Sequence, residues 1–252
     1  MTLDRDDFLS FDGVRIAFHT LGQGKPIILL HGLFSNGVTN WSRYGAAAEI
    51  AGAGYKVILP DFRGHGDSSA PHEASHYPPD ILAMDVEALI RHLEPGNFVL
   101  GGYSLGARTA VRLLARGLKP ERVILGGMGL AGITGGTERA KFFLDVLAAP
   151  DSFEKNSAGW FAAQFLKQNS IDTVAVAHVL RSQLATPLDV VRGLDTPALV
   201  ICGAEDQDNG SAAELADALP NAALATIPGN HMSAVTKPDF GAAIAAWLEH
   251  RV

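Results

Sequence analysis

Six short apolar runs that start and stop abruptly restrict this chain more than any other feature. They are PIILLHG at 26–32, KVILPD at 56–61, NFVLGGYS at 97–104, RVILGGMG at 122–129, PALVICG at 197–203 and AALATIPG at 222–229. A strand with one wet face alternates apolar and polar residues, and these runs do not. Each reads as a strand buried on both faces, which is the environment of a parallel sheet covered by helices. Helical spacing lies between them. Residues 79–93 bring Ile81, Met84, Leu89 and Leu93 together, with Pro95-Gly96 as a stop, and residues 105–116 form a second helix directly after Tyr103-Ser104. Ahead of the runs, residues 7–20 alternate around Asp12-Gly13 and predict a β-hairpin. The order of elements predicts a doubly wound, mostly parallel α/β sheet with right-handed crossovers.

One stretch breaks the rhythm. Residues 130–192 show helical patterns and carry Phe142, Phe143, Phe153, Trp160, Phe161 and Phe165, without a convincing strand. An insert at this point either packs for its own sake or forms a helical cap over the crevice at the carboxyl ends of the strands, where open α/β sheets bind ligands. The cap is the reading adopted, which divides the chain into a core at 1–129 and 193–252 and a cap at 130–192.

Composition narrows the partners. A chain of 252 residues with net charge −7 and no block of consecutive Lys or Arg is a poor match for nucleic acid or an anionic membrane surface. The single cysteine, Cys202, excludes an internal disulfide or a Cys-based zinc cluster, and its apolar run suits a small buried side chain. No apolar run approaches the roughly 20 residues that span a bilayer. The opening MTLDRDDFLS lacks the basic and apolar regions of a signal peptide, so a cytoplasmic location is expected.

Gly102-Tyr103-Ser104-Leu105-Gly106 matches G-x-S-x-G, with an apolar strand before it and a helix after it. A sharp strand-to-helix turn of this kind exposes the serine hydroxyl, and the flanking glycines remove side chains that would collide with strand and helix. A hydroxyl becomes a nucleophile only when a base takes its proton. Of nine histidines, His231 in PGNHMSA has the best setting, just beyond the last strand run. A carboxylate must hold that base, and the loop GAEDQDNG supplies Glu205, Asp206 and Asp208. The order nucleophile, acid, histidine is the one expected of a hydrolase built on such a sheet.

Along nearly its whole length the sequence resembles the α/β-hydrolase fold superfamily. His31-Gly32 is similar to the family's HG element, residues 61–68 (DFRGHGDS) to its D-x-R-G-H-G-x-S segment, and Gly203 followed by Asp206 to its G-x-x-D. The resemblance implies Asp206 rather than Asp208 as the acid, oxyanion-hole N–H groups from Leu33 and Leu105, and His31 and His65 as supports of nearby loops. Two departures stand out: Ala107 follows Gly106 where many relatives carry glycine, and the acid loop lacks a proline found after the aspartate in several members.

Ser104 prunes the chemistry further, since the haloalkane dehalogenases and epoxide hydrolases of this superfamily attack with an aspartate. The expectation is a serine hydrolase, carboxylesterase-like, that cleaves an ester, thioester or lactone of a small apolar substrate through an acyl-serine. No cofactor or metal is expected, and self-association is left open. A rival reading rests on GYSLGAR, which is similar to the GYS-x-G-G-R stretch of the pyruvate-eliminating synthases of menaquinone biosynthesis. It would make Arg108, with Tyr103, part of a substrate site that takes a carboxylate. The plainer reading points Arg108 to solvent or a salt bridge. C–C bond hydrolysis and a non-catalytic small-molecule receptor are the remaining alternatives.

Overall fold

A computed structural model describes residues 2–135 and 137–250 of the chain. Eight strands, β1 (Asp4–Leu9), β2 (Arg15–Leu21), β3 (Lys25–Leu30), β4 (Tyr55–Pro60), β5 (Val99–Tyr103), β6 (Arg122–Gly126), β7 (Ala198–Gly203) and β8 (Ala222–Ile227), form one sheet in the order β1-β2-β4-β3-β5-β6-β7-β8. Strands β3 to β8 run parallel, while β2 is antiparallel to both β1 and β4. The N-terminal hairpin begins at Asp4, and Ser10 and Val14 close its turn.

The lack of alternation in the strand runs now has its cause. In β3, Ile28 and Leu30 pack on one face of the sheet and Ile27 and Leu29 on the other, all fully buried. The first face is covered by α2 (Ile81–Leu93) and α3 (Leu105–Ala115), the second by α1 (Ala46–Gly52) and α10 (Pro238–Glu249). On α10, Phe240, Ile244 and Leu248 recur every four residues and all face the sheet. One strand departs from the expectation: β8 is an edge strand, and Ala223, Leu224 and Thr226 are exposed. With β7 on one side only, it has a partner for half of its backbone. The opposite edge, β1, carries Asp4, Arg5, Asp6 and Asp7, charges that discourage another strand from adding there.

Between β6 and β7 the chain forms α4 (Leu130–Thr134), α5 (Thr137–Ala148), α6 (Ala158–Gln168), α7 (Thr173–Arg181) and α8 (Leu188–Arg192). Val146, Leu147, Ala163, Leu166, Val176 and Leu180 form a separate apolar cluster there together with Phe34 from the loop after β3, and Leu33 packs against both this cluster and the main core. Helix α9 (Ala212–Ala218) lies between β7 and β8. Among the described residues, no helix is long and apolar enough to cross a membrane.

The loop after β4 is held by buried charge. Arg63 is fully buried and donates to both carboxylate oxygens of Asp85 on α2, to both of Asp12 in the hairpin turn, and to the His76 carbonyl. Asp85 also accepts from Ser10 at 2.6 Å. A guanidinium sealed from water is tolerable only because its donors face charged or carbonyl acceptors. Truncation would strand two carboxylates, so Arg63→Ala is expected to remove about 3–5 kcal/mol of stability. Urea unfolding at neutral pH checks this, and a loss within the ordinary surface range would contradict it.

Two buried histidines in the same region stay neutral. His31 donates from Nδ1 to the Gly32 carbonyl at 2.7 Å and accepts the Phe62 N–H at Nε2 at 2.9 Å, and burial lowers its pKa to about 4. Burial, with the neighbouring His31 ring, lowers that of His65 to about 3. In the unfolded chain both take up a proton near 6.5. Stability from these groups is therefore complete above pH 6.5 and lost as the pH falls toward 4, since the unfolded state then binds more protons. Unfolding free energies measured between pH 7 and 4.5 should decline steadily, and His65→Gln should flatten the slope. An unchanged slope in that variant would show that its proton uptake is not coupled to folding.

Candidate active site

The nucleophile turn is dictated by how closely two backbones approach. A Cβ on Gly102 would lie 2.1 Å from the Gly106 carbonyl carbon, and one on Gly106 would lie 2.3 Å from the Leu30 carbonyl oxygen. Between them Ser104 takes φ 53° and ψ −113°, a left-handed backbone that non-glycine residues rarely adopt. Its N–H donates to the Gly126 carbonyl at 2.8 Å, so β6 holds the turn from the side. Because β5, β7 and β8 are parallel, Ser104, Asp206 and His231 all emerge at the same edge of the sheet.

Two loops meet the serine there. A Cβ on Gly203 would strike the Gly229 carbonyl oxygen at 2.1 Å, and the Glu205 N–H donates to that same oxygen at 3.0 Å. The acid loop and the histidine loop are thus stitched main chain to main chain. His231 Nδ1 donates to Asp206 Oδ2 at 2.9 Å, which leaves Nε2 as the acceptor for the Ser104 hydroxyl at 3.0 Å. Asp206 and His231 are buried. Burial alone would raise the Asp206 pKa, but the hydrogen bond and charge of His231 outweigh it and hold the carboxyl below its usual value. Asp206 Oδ1 accepts the Asp208 N–H at 3.1 Å. Asp208, the other candidate acid, turns instead to Arg139 on α5 at 2.8 Å. Among the described residues, Asp206, Asp208 and His231 place potential metal-ligand atoms within 4.8 Å of one another. Hydrogen bonding already occupies both His231 nitrogens and pairs Asp208 with Arg139.

Leu33 and Leu105 flank Ser104, and both line a cavity of about 830 Å³ above it. Phe142, Phe143, Phe161 and Phe165 form much of the apolar wall on the side of α5 and α6. The loop that bears Leu33 is held from below by Asn40, whose Oδ1 accepts the Gly32 N–H at 2.8 Å, and by Trp41, whose Nε1 donates to the Leu30 carbonyl. Neither stood out in the sequence. Both lie in a short wide-turned helix, Val38–Ser42, where isolated polar and aromatic residues carry no periodic signal.

One sequence expectation needs correction, and a second is met only in part. Tyr103 does not line the cavity: its ring is buried under the nucleophile turn, because a residue beside Ser104 in β5 points to the opposite side of the strand. Arg108 does line the cavity, as facing the crevice requires, but it is half-buried and pairs with no carboxylate among the described residues. Its Nη1 donates to the carbonyls of Gly132 and Gly135 at the end of α4, and burial lowers its pKa.

Residues 25–124 match the family model of the alpha/beta hydrolase fold. The AB hydrolase superfamily protein YisY of Bacillus subtilis is 37% identical over 103 residues, 41% of this chain and 37% of that protein, so the matched part spans little more than a third of that relative's length. A non-heme haloperoxidase of Rhodococcus erythropolis is 27% identical over 94% of this chain and 97% of its own. Among solved structures, a thermophilic esterase from Thermogutta terrifontis superposes with a TM-score of 0.78 at 22% identity, covering 97% of this chain and 98% of that one. The sheet order, the turn at Ser104 and these matches agree: the chain has the α/β-hydrolase fold.

Proposed function

We propose that the protein is a serine hydrolase that cleaves a carboxylic ester, thioester or lactone of a small, largely apolar substrate through an acyl-serine. The observation that carries this reading is the continuous hydrogen-bonded line from Asp206 through His231 to the Ser104 hydroxyl, at 2.9 and 3.0 Å, opening into the cavity. In acylation, Ser104 Oγ attacks the substrate carbonyl carbon while His231 Nε2 takes its proton. The carbonyl electron pair moves onto oxygen, where the Leu33 and Leu105 amides are the donors to meet it. One such donor contributes about 3–4 kcal/mol in comparable sites. The imidazolium, stabilised by Asp206, gives its proton to the departing alcohol or thiol. Water then repeats the sequence and releases the acid. Asp206 keeps the Nδ1–H tautomer in place, without which Nε2 could not accept.

The cavity volume suits an organic substrate of modest size, and its phenylalanines favour an apolar acyl or aryl part. The pyruvate-eliminating alternative asks Arg108 to receive a carboxylate. Here Nη1 of that guanidinium is committed to two main-chain carbonyls, while its buried Nε has no partner among the described residues, so its bonding does not by itself call for a carboxylate.

Hydrolysis of p-nitrophenyl acetate, butyrate and octanoate tests the proposal. Wild type should release nitrophenol, and Ser104→Ala should abolish turnover. Asp206→Asn should lower kcat by about 10³–10⁴ through the wrong histidine tautomer, whereas Asp208→Asn should retain most of the activity. A well-folded wild type inert toward all three esters would defeat the esterase reading and favour C–C hydrolysis or ligand reception.

A further inference from the structure

Tyr103, at the end of the nucleophile's strand, reaches the loop of the base with both its ring and its hydroxyl. It sits one residue before Ser104, buried beneath the turn. Its hydroxyl donates to the main-chain carbonyl of His231 at 2.5 Å. Its ring lies 5.4 Å from the His231 imidazole, inclined at 33°, and meets Phe240 of α10 edge-on at 5.5 Å. Space for that ring comes from two glycines at the end of β6, Gly126 as its last residue and Gly127 just beyond it. A Cβ on Gly126 would fall 2.9 Å from the ring and one on Gly127 2.6 Å from it. Burial pushes the phenol pKa up, so the hydroxyl remains a neutral donor.

Main-chain bonds tie the histidine loop to the acid loop at Ile227 and Gly229, and Tyr103 adds a tie to β5 at His231 itself. The loop's own bonds knit Asn230 to Met232, Ser233 and Ala234, which shapes the turn without tying it to β5. The tie to the strand of the nucleophile is the tyrosine hydroxyl. A tyrosine has two rotatable side-chain bonds, and this one is wedged by Phe240 and the Gly126-Gly127 pair, so it acts as a spacer of fixed length.

We infer that Tyr103 is a positioning residue for the reaction: it sets the height of the His231 main chain above Ser104 and thereby the 3.0 Å approach of Nε2 to Oγ. The inference rests on the serine-hydrolase reading, because it assigns Tyr103 a role only through His231 as base. Phenylalanine would fill the ring's place but leave the carbonyl without its donor, and the loop would drift by the fraction of an ångström to which proton transfer is sensitive. A misplacement of about 1 Å costs on the order of a hundredfold in rate.

The experiment compares wild type, Tyr103→Phe and Ile50→Val, the last a core trim on α1 that serves as a stability control. Each is labelled with a fluorophosphonate. In that step Ser104 Oγ bonds to phosphorus, the P–F bond breaks, fluoride leaves and His231 takes the hydroxyl proton, so the rate reports nucleophile–base geometry without a substrate. Thermal midpoints and p-nitrophenyl butyrate kinetics accompany it. Tyr103→Phe should label at least about tenfold more slowly, with kcat falling in parallel and KM within about twofold of wild type. Ile50→Val should label at the wild-type rate despite a comparable or larger loss of thermal midpoint. The inference is overturned if Tyr103→Phe labels as fast as wild type, or if Ile50→Val slows labelling as much. A folded wild type that does not react with the probe would remove the serine-hydrolase reading itself, and the positioning role with it.

Discussion

The Ser104 backbone is a conformation the chain would not choose unaided, and much of the molecule is arranged to impose it. Residues in such left-handed regions cost about 1–3 kcal/mol and persist only where their surroundings over-determine them. Here β5 delivers the chain into the turn, α3 takes it away, and the Leu30 carbonyl and Gly126 carbonyl bound it on either side. The contacts leave room for hydrogen at Gly102 and Gly106 and for nothing larger. A parallel sheet supplies the stiffness, because each strand around the turn is buried on both faces and hydrogen-bonded on both edges.

The same sheet makes the site convergent. Strands that run parallel end at a common edge, so loops more than a hundred residues apart in sequence fall within hydrogen-bond reach. Main-chain bonds from the acid loop to Ile227 and Gly229 fix the relation of acid to histidine before any side chain contributes. Electrostatics then finishes the alignment. The buried Asp206 carboxylate is worth keeping ionised only beside a donor, and His231 Nδ1 is that donor.

Farther from the serine, Arg63 and its two aspartates serve the site indirectly. They hold the loop after β4, whose Phe62 N–H bonds the His31 ring, and His31 in turn holds the Gly32 carbonyl at the base of the loop that bears Leu33. Buried ion pairs contribute little net stability against apolar substitutes, but they accept few alternative arrangements. That intolerance suits a loop whose amide must point at one place.

Sequence alone determined the strand runs, the parallel sheet, the serine turn and the choice of His231, because each leaves a local mark: unbroken apolar runs, glycines at fixed offsets, a histidine just past a strand. The ranking of Asp206 above Asp208 came from the resemblance of Gly203 and Asp206 to the family's G-x-x-D. Helices α1, α9 and α10 went unassigned; all three are alanine-rich, so their apolar faces stand out weakly from the rest. The exposure of β8 was equally hidden, since an edge position is a property of neighbours and not of the run itself. Only the tertiary structure decided that Asp208 turns to Arg139, that Arg108 donates to α4 carbonyls, and that Tyr103 lies beneath the turn against His231. Partners 24 to 128 residues away made those choices, and a single sequence carries no local record of which distant groups will meet.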